Sequence, residues 1–249
     1  DANSLDGARI GVLRSAEGNN ELIRARFNDA LAAMEAAGAI LVDIEEADMP
    51  HGFWGKAFAV LKYEFKATLN DYLASTPDTV STRTLTDLIA FNTDNADTEL
   101  ALFNQDIFEQ SDEMEGLDSD GYKEAVAFIQ SATREKGIDR LLTEHDVVAL
   151  VAPSGPLAPR VDPVNGDVWP DWPGAGYMAA IAGYPHLTVP MGTARGLPVG
   201  LSFIGGKDQD AAILSLGYAY EQKTEARAEP QYYQTAEDLP EIAEAMRRR

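Results

Sequence analysis

Ser154 is the best candidate nucleophile on local grounds, in the segment APSGP at residues 152–156. It follows an apolar run and precedes Gly155, and a serine hydroxyl becomes a nucleophile when a base removes its proton. The nucleophile elbow of many hydrolases has the pattern Gly-x-Ser-x-Gly, but Ala152 stands where the first glycine belongs. The local pattern therefore favours a turn serine, with a nucleophilic serine as the alternative.

The histidines His51, His145 and His186 are the other residues that could serve as a base or bind a metal. They lie in three separate segments, without the close spacing of a zinc-binding helix. His145, near a predicted helix end, and His186, at a predicted strand start, are therefore interpreted as structural. The sequence predicts no metal site.

Charged residues on the predicted helices and turns also favour a solvated surface over a catalytic or metal-binding role. Lys62 and Lys66 are one helical turn apart beside Glu64, which is typical of a solvated helix face. The acidic segments 45–48 (EEAD) and 111–120 (SDEMEGLDSD) lack the carboxylate alternation of a calcium-binding EF-hand. We interpret both segments as solvated turns.

The composition excludes some classes of partner. The chain has 249 residues, 20 of them Lys or Arg and 41 Asp or Glu, for a formal net charge of −21. Such a field repels phosphate backbones, so binding of nucleic acid by this chain is disfavoured. The chain has no cysteine, which excludes disulfides and thiolate nucleophiles. No uncharged apolar run reaches the length of about 18 residues that a membrane-spanning helix needs.

The N-terminal segment predicts a β–α–β unit. Residues 9–13 (RIGVL) predict a buried strand, and residues 39–44 (AILVDI) predict a second. Between them, apolar residues recur at helical spacing, with Asn19 or Asn20 as the helix cap and Gly38 as its end. Units of this kind build parallel sheets.

The middle and the C-terminal part differ in their patterns. Residues 54–143 predict a layer of helices inserted between strands, including one that carries Leu100 to Phe108 and one that stops at Gly137. No Pro/Gly-rich linker separates this layer as a domain of its own. The apolar run 146–156 predicts a strand that is covered on both faces. A proline-rich loop follows, where Trp169 and Trp172 either cover a cavity or shield the sheet edge. Further predictions are a short helix at 174–181, strands at 186–190 and 198–205, and a helix at 209–225 that Asp208 caps.

These elements predict an α/β fold, in which a mixed, mostly parallel sheet is flanked by helices. The segment 183–206 (GYPHLTVPMGTARGLPVGLSFIGG) is the most specific stretch within it. It resembles the C-terminal signature of the amidase signature family, whose usual form ends in Gly-Leu-Pro-Val-Gly-Leu-Gln. The segments LDGARIGVLR and AAGAILVDIE agree, and the middle section, with YEFKATLNDYL and LTDLIAFN, resembles the peptide amidase branch. The resemblance covers essentially all 249 residues.

The resemblance implies an enzyme that hydrolyses amides through a Ser–cis-Ser–Lys triad without a metal or organic cofactor. The nucleophilic serine of the family lies in a Gly/Ser-rich run, but here no two serines are adjacent. We therefore expect residues 1–249 to be the C-terminal half of an amidase-signature domain that lacks the triad. The chain alone is expected to be inactive, while its parent protein releases ammonia from a carboxamide, with a C-terminal peptide amide as one candidate.

Four residues are predicted to contact substrate, and no catalytic residue is assigned. By resemblance, Ser154 stands where the family commonly has a threonine on the rim of the active-site cavity. Tyr177 belongs to a segment that resembles the family's approach to the active site. Phe91 and Asn92 are cavity candidates, although residues at helical spacing are more often core.

Two alternatives from other classes stay open. One is a non-catalytic accessory or binding module with half of the fold, and the other is an amidotransferase-type subunit that takes ammonia from glutamine. The expected partners are a small amide or peptide-amide substrate and the missing N-terminal half. Self-association through uncovered strands is also expected, since exposed sheet edges pair readily. The expected location is cytoplasmic, with the periplasm or secretion as alternatives.

Overall fold

The computed structural model describes residues 1–162, 164–166 and 170–247. Its backbone contacts divide the chain into two compact units. Residues 1–48 together with the described part of 133–249 form the first, here called the sheet unit. Residues 49–132 form the second, here called the helical unit.

The sheet unit is built on five strands. They are β1 (Arg9–Leu13), β2 (Ile40–Ile44), β3 (Ala149–Pro153), β4 (His186–Ala194) and β5 (Leu197–Ile204). The strand order is β2-β1-β3-β5-β4. β1 is parallel to both β2 and β3, and β5 is antiparallel to both β3 and β4, so β5 alone runs against the other four. This confirms the predicted α/β fold with a mixed, mostly parallel sheet.

The described α-helices complete the element order. They are α1 (Glu21–Ala36), α2 (Phe53–Ser75), α3 (Leu85–Asp94), α4 (Ala96–Glu99), α5 (Asp106–Asp112), α6 (Asp120–Thr133), α7 (Asp139–Glu144), α8 (Gly176–Ala182), α9 (Asp210–Thr224) and α10 (Pro240–Arg247). None of these helices combines the length and the hydropathy that a membrane-spanning helix requires.

The centre of the sheet explains the apolar run that the sequence shows there. All five residues of β3 are buried, as expected for a strand covered on both faces. Gly11 of β1 lets its neighbours approach closely, because a Cβ at this position would lie 2.7 Å from Ile44 Cδ1 and 2.9 Å from Leu150 Cδ2. Burial on both sides of the sheet makes this region the rigid part of the unit.

Helix α1 follows the sequence prediction closely. The side chain of Asn20 caps it, and its oxygen accepts hydrogen bonds from the backbone N–H groups of Leu22, at 3.0 Å, and Ile23, at 3.4 Å. The buried face of the helix packs into the main core and consists of Ile23, Phe27, Ala30, Leu31 and Met34. Gly38 follows the helix with a φ of 94°, a conformation that glycine adopts without strain.

The hairpin of β4 and β5 closes through a two-residue turn. Arg195 and Gly196 both have positive φ, at 53° and 76°, as the favoured hairpin turns require. β4 continues past Pro190, where the sequence predicted its end, and its register shifts between Pro190 and Thr193. An edge strand tolerates a proline because the missing N–H faces away from the sheet.

Three helix boundaries differ from the predictions. Gln209, not Asp208, is the N-cap residue of α9, and Asp208 instead adopts a φ of 61° in the preceding turn. The helix predicted to stop at Gly137 passes through a π-helical turn, Arg134–Ile138, and continues as α7. Residues 100–105, predicted as part of one helix, separate α4 from α5.

In the helical unit, the long helix α2 is less buried than its apolar spacing suggests. Phe53, Val60 and Leu73 are buried, while Trp54 is 59% exposed and Leu61 is 62% exposed. The lysines also differ from the prediction of a solvated face. Lys66 is half-buried and donates to the carbonyl oxygens of Asp112 and Met114, and Lys62 donates to Gln110 Oε1.

Candidate functional site

Ser154 lies directly after β3, where that strand still pairs with β5. Its backbone N–H donates to the carbonyl oxygen of Gly200 at 2.8 Å. Its side-chain Oγ lies 2.9 Å from Ser202 Oγ and 3.3 Å from Thr188 Oγ1. Ser154 therefore joins a group of hydroxyls from three neighbouring strands.

His186 completes this group. Its Nε2 lies 2.7 Å from Ser202 Oγ, so Ser202 is the shared neighbour of Ser154 and His186. Ser202 has no exposed surface, whereas Ser154 and His186 keep part of theirs. We call Ser154, Thr188, His186 and Ser202 the hydroxyl–histidine cluster.

The register of the sheet explains why these four side chains meet. Ser202 is paired with Ala152 of β3 and with Thr188 of β4. Ser154 lies two residues after Ala152, and His186 two residues before Thr188. Because side chains two apart along a strand share a face, all four belong to the same face of the sheet.

Glycine at two positions leaves space for the cluster, because a side chain there would collide with it. A Cβ at Gly200 would lie 2.7 Å from Thr188 Cγ2 and 2.9 Å from Ser154 Oγ. A Cβ at Gly176, at the start of α8, would lie 2.8 Å from His186 Cε1. A side chain at either position would displace a member of the cluster.

Partial burial favours the neutral form of the histidine. Burial of part of the ring lowers the pKa of His186 from its usual value of 6.5. A neutral imidazole has one nitrogen that donates and one that accepts. With Nε2 as the acceptor, Ser202 donates to His186 and can itself accept from Ser154, which makes a continuous path for a proton.

From the sequence, Ser154 was predicted to contact substrate and His186 was interpreted as structural, while Ser202 was not singled out. The signal for Ser202 was the departure from the family motif, since Ser202 stands where the usual form has a glutamine. The signal for a shared face was the period of two that relates His186 to Thr188.

The other predicted site residue of the sheet unit, Tyr177, lies on α8, next to Gly176. It is half-buried, and burial, together with the charge of Asp48, raises the pKa of its hydroxyl. The helix thus brings Tyr177 to the segment that also packs against His186. Its contact with substrate stays a prediction.

Phe91 and Asn92 lie on α3 of the helical unit. This helix begins with a capping box in which Thr84 Oγ1 and the backbone N–H of Asp87 are 3.1 Å apart. Phe91 is 45% exposed. The Asn92 amide donates to Gln105 Oε1 at 3.2 Å, so part of its hydrogen-bonding capacity is used within the unit. Their role in binding also stays a prediction.

The proline-rich loop after Ser154 is tied to the sheet unit at its end. The backbone N–H of Gly174 donates to the carbonyl oxygen of Ala16 at 2.8 Å, and the Asp171 carboxylate accepts from the backbone N–H of Asn19. Trp172 is 60% exposed. Trp169, the other tryptophan predicted to cover a cavity or an edge, lies outside the described residues.

Within the described ranges, no group of three or more His, Asp or Glu side chains could hold a metal ion. His51 precedes α2 and His145 follows α7, each away from the cluster around Ser202 in the chain. The chemistry available to the cluster is therefore that of hydroxyls and one imidazole.

Comparisons with known proteins agree with the motif. A family model described as Amidase matches residues 1–214. The crystal structure of native peptide amidase from Stenotrophomonas maltophilia is 36% identical, with a TM-score of 0.80 over 94% of this chain and 46% of that one. An amidase family protein from Bacillus anthracis is 27% identical, with a TM-score of 0.74 over 93% of this chain and 41% of that one.

A curated relative adds a second activity to the comparison. A glutamyl-tRNA(Gln) amidotransferase subunit of Halorhodospira halophila is 28% identical over 89% of this chain and 46% of its own length. The chain spans less than half the length of the first curated relatives that it matches, at 43% and 46%.

Proposed function

Since the chain belongs to the amidase signature family, we propose that the protein it forms part of hydrolyses a linear carboxamide to a carboxylic acid and ammonia. The substrate class we propose is a peptide with a C-terminal amide. The observation that carries this choice is the likeness to peptide amidase over 94% of the chain, a span that includes the helical unit. The PHLTVP and GLPVGLSFIG segments of the β4–β5 hairpin support the family, and the middle section, with YEFKATLNDYL and LTDLIAFN, supports the peptide amidase branch.

In this proposal, the chain supplies scaffold and substrate contacts. Residues 1–249 form the C-terminal part of an amidase-signature domain, and Ser154, Tyr177, Phe91 and Asn92 contact the substrate. The nucleophile of amide hydrolysis is a serine in polypeptide outside this chain. The support is that the chain contains neither adjacent serines nor a Gly/Ser-rich run, from which activated serine and oxyanion-binding N–H groups would come.

The test compares residues 1–249 with the longer polypeptide that contains a Gly/Ser-rich run. Each is incubated with a peptide amide and with the same peptide as a free acid, and ammonia release is measured. We expect release from the amide by the longer polypeptide only. Release of ammonia by residues 1–249 alone would contradict the assigned role, and no release by the longer polypeptide would contradict amide hydrolysis.

The missing half is also the partner that we propose for the sheet. β2 and β4 are the outer strands of the described sheet, and Ile40 of β2 is 47% exposed. Outer strands and apolar surface of this kind pair with further polypeptide. Co-expression with the N-terminal half should give a stable complex, and residues 1–249 alone should self-associate in light scattering. A monomer at high concentration that does not bind the N-terminal half would contradict both expectations.

A second candidate function is that of an amidotransferase subunit, which the relative from Halorhodospira halophila favours. That activity takes ammonia from glutamine, so the discriminating measurement is ammonia release from glutamine beside release from a peptide amide. The third candidate, a non-catalytic binding module, predicts no release from either, and the reading frame upstream of Asp1 would then lack the Gly/Ser-rich run. The leading proposal also includes a cytoplasmic location for the protein, which cell fractionation would test.

A further inference from the structure

The hydroxyl–histidine cluster contains the parts of a serine nucleophile within this chain. We propose that Ser154 reacts as a nucleophile with activated esters and phosphonyl fluorides, while Ser202 and His186 carry its proton away. This reaction is distinct from the amide hydrolysis proposed above and does not depend on it.

The first support is the geometry of the chain of contacts. Ser154 Oγ to Ser202 Oγ is 2.9 Å, and Ser202 Oγ to His186 Nε2 is 2.7 Å. Both distances are within the range in which a proton passes between a nucleophile and its base. Ser154 Oγ also donates to Thr188 Oγ1 at 3.3 Å, so the relay requires its one proton to turn from this longer contact to the shorter one with Ser202, in which either hydroxyl can donate.

The second support is that Ser202 is fixed between its neighbours. It is fully buried, so water does not compete for its hydroxyl, and its register with Ala152 and Thr188 holds it in the sheet. A relay residue must keep both contacts at once, and β5, which is paired on both sides by β3 and β4, provides this.

The third support is access to Ser154. Ser154 is only half-buried, and Thr188 and His186 are exposed on the same face. A Cβ at the next residue, Gly155, would meet no atom within 4 Å, so the space beside the serine is open. A small reagent can therefore reach Ser154 Oγ.

The substrate class follows from what surrounds the histidine. Among the described residues, no carboxylate lies within hydrogen-bond or ion-pair distance of the His186 ring. The cluster thus lacks the aspartate that orients the imidazole of a Ser–His–Asp triad and stabilises its charged form. We therefore assign to the cluster substrates with good leaving groups, which react with a less strongly activated serine, and we do not assign amides to it.

A phosphonyl fluoride phosphonylates Ser154. A bond forms between Ser154 Oγ and phosphorus, and the phosphorus–fluorine bond breaks, so that fluoride leaves with the electron pair. The Ser154 proton moves to Ser202 Oγ as the Ser202 proton moves to His186 Nε2, and the imidazolium then releases a proton to solvent. A p-nitrophenyl ester acylates Ser154 by the same route and releases p-nitrophenolate.

The first experiment incubates residues 1–249 with a fluorophosphonate and follows the intact mass, with peptide mapping of the adduct. We expect a single adduct on Ser154 that Ser154→Ala abolishes. The matched control is Ser75→Ala, an exposed serine of α2, which should label at the wild-type rate. An adduct on another serine, or none on the wild-type chain, would overturn the proposal.

The second experiment tests the relay. His186→Gly should slow the labelling of Ser154 by about 100-fold, the usual contribution of a general base. Added imidazole should restore the rate, because the exposed side of the site admits it, and a structural role would not respond to imidazole. Ser202→Ala should slow labelling similarly and resist rescue. Wild-type labelling rates in His186→Gly, or a slow rate that imidazole leaves unchanged, would overturn the relay even if Ser202→Ala does not fold.

Discussion

Ser154 and Ser202 belong to different parts of the chain, yet their hydroxyl oxygens lie 2.9 Å apart. Ser202 is buried and is also the hydrogen-bond neighbour of His186. The contact therefore bears on stability as well as on chemistry, since Ser154 and His186 both lose a hydrogen bond when their shared partner is removed.

Ser202→Ala should lower the free energy of unfolding by about 1–2 kcal/mol, because Ser154 Oγ and His186 Nε2 lose their common partner. Urea unfolding measures the change. The matched control is Ser81→Ala, an exposed serine of the helical unit, which should stay within about 0.5 kcal/mol of wild type. Superimposable curves for Ser202→Ala and wild type would show that the cluster does not stabilise the fold.

The stability of the protein should depend on the protonation of His186. Its pKa is lowered in the folded state by burial, so the unfolded chain binds the proton more readily as the pH falls below the usual value of 6.5. This histidine therefore lowers the stability below that pH and has no such effect well above it. The stability advantage of wild type over His186→Gln should shrink between pH 7.5 and pH 5.5, as urea unfolding at each pH would show. An advantage that stays constant would contradict the shift.

Two helical glycines should respond in opposite directions to alanine. A Cβ at Gly217 of α9 would collide with the Leu187 side chain of β4, so Gly217→Ala should lower the free energy of unfolding by about 1–3 kcal/mol. Gly55 of α2 has no atom within 4 Å of such a Cβ. Gly55→Ala should instead be stabilising by up to about 1 kcal/mol, as in an open helix. A denaturation midpoint for Gly217→Ala at or above that of wild type would contradict the packing at Gly217, and a lowered midpoint for Gly55→Ala would contradict the open space at Gly55.

The cap of α1 should be specific to one of two neighbouring asparagines. Asn20→Ala removes the side-chain oxygen that accepts from Leu22 and Ile23, and it should lower the free energy of unfolding by about 1 kcal/mol. Asn19 is exposed and bonds the Asp171 carboxylate through its backbone, so Asn19→Ala should change little. Equal losses in thermal unfolding would show that the cap does not reside in Asn20.

Phe91 offers the cleanest test of the predicted substrate contacts in the helical unit. In the longer polypeptide that we propose, Phe91→Ala should raise KM for a peptide amide about tenfold, the effect of losing about 1.4 kcal/mol of apolar contact. The control is Phe103→Ala, which removes a 61% exposed ring from the same unit. Asn92→Ala is less informative because it also breaks the bond to Gln105. Identical steady-state kinetics for both phenylalanine variants would remove Phe91 from the site.

The part of the fold that sequence predicts best is the part that local physics determines. The helix α1 and its cap depend on side-chain spacing and a hydrogen bond two to three residues away, so the helix was predicted and its cap was narrowed to Asn19 or Asn20, of which the structure has Asn20. The prediction for Asp208 was wrong because capping propensity does not reveal the backbone angle, and a φ of 61° takes that residue out of the cap position.

The candidate site required information that the sequence does not carry. The meeting of Ser154, Ser202 and His186 depends on the register that pairs Ala152 with Ser202 and Thr188 with Ser202. A shift of one residue in either pair would turn a side chain to the other face. Each residue considered alone resembles an ordinary turn or strand residue, and only the pairing distinguishes them.

The central pairing of the sheet joins positions far apart in the chain, since Ile10 lies opposite Ala149. The β4–β5 hairpin is closed by two residues and can form within about 1–10 μs. Docking of β1 beside β3 must first close a long loop that contains the whole helical unit, and its entropic cost slows the step. Refolding should therefore begin at the C-terminal hairpin and be limited in rate by the arrival of the first strand, so that the hydroxyl–histidine cluster is nearly assembled before the sheet is complete.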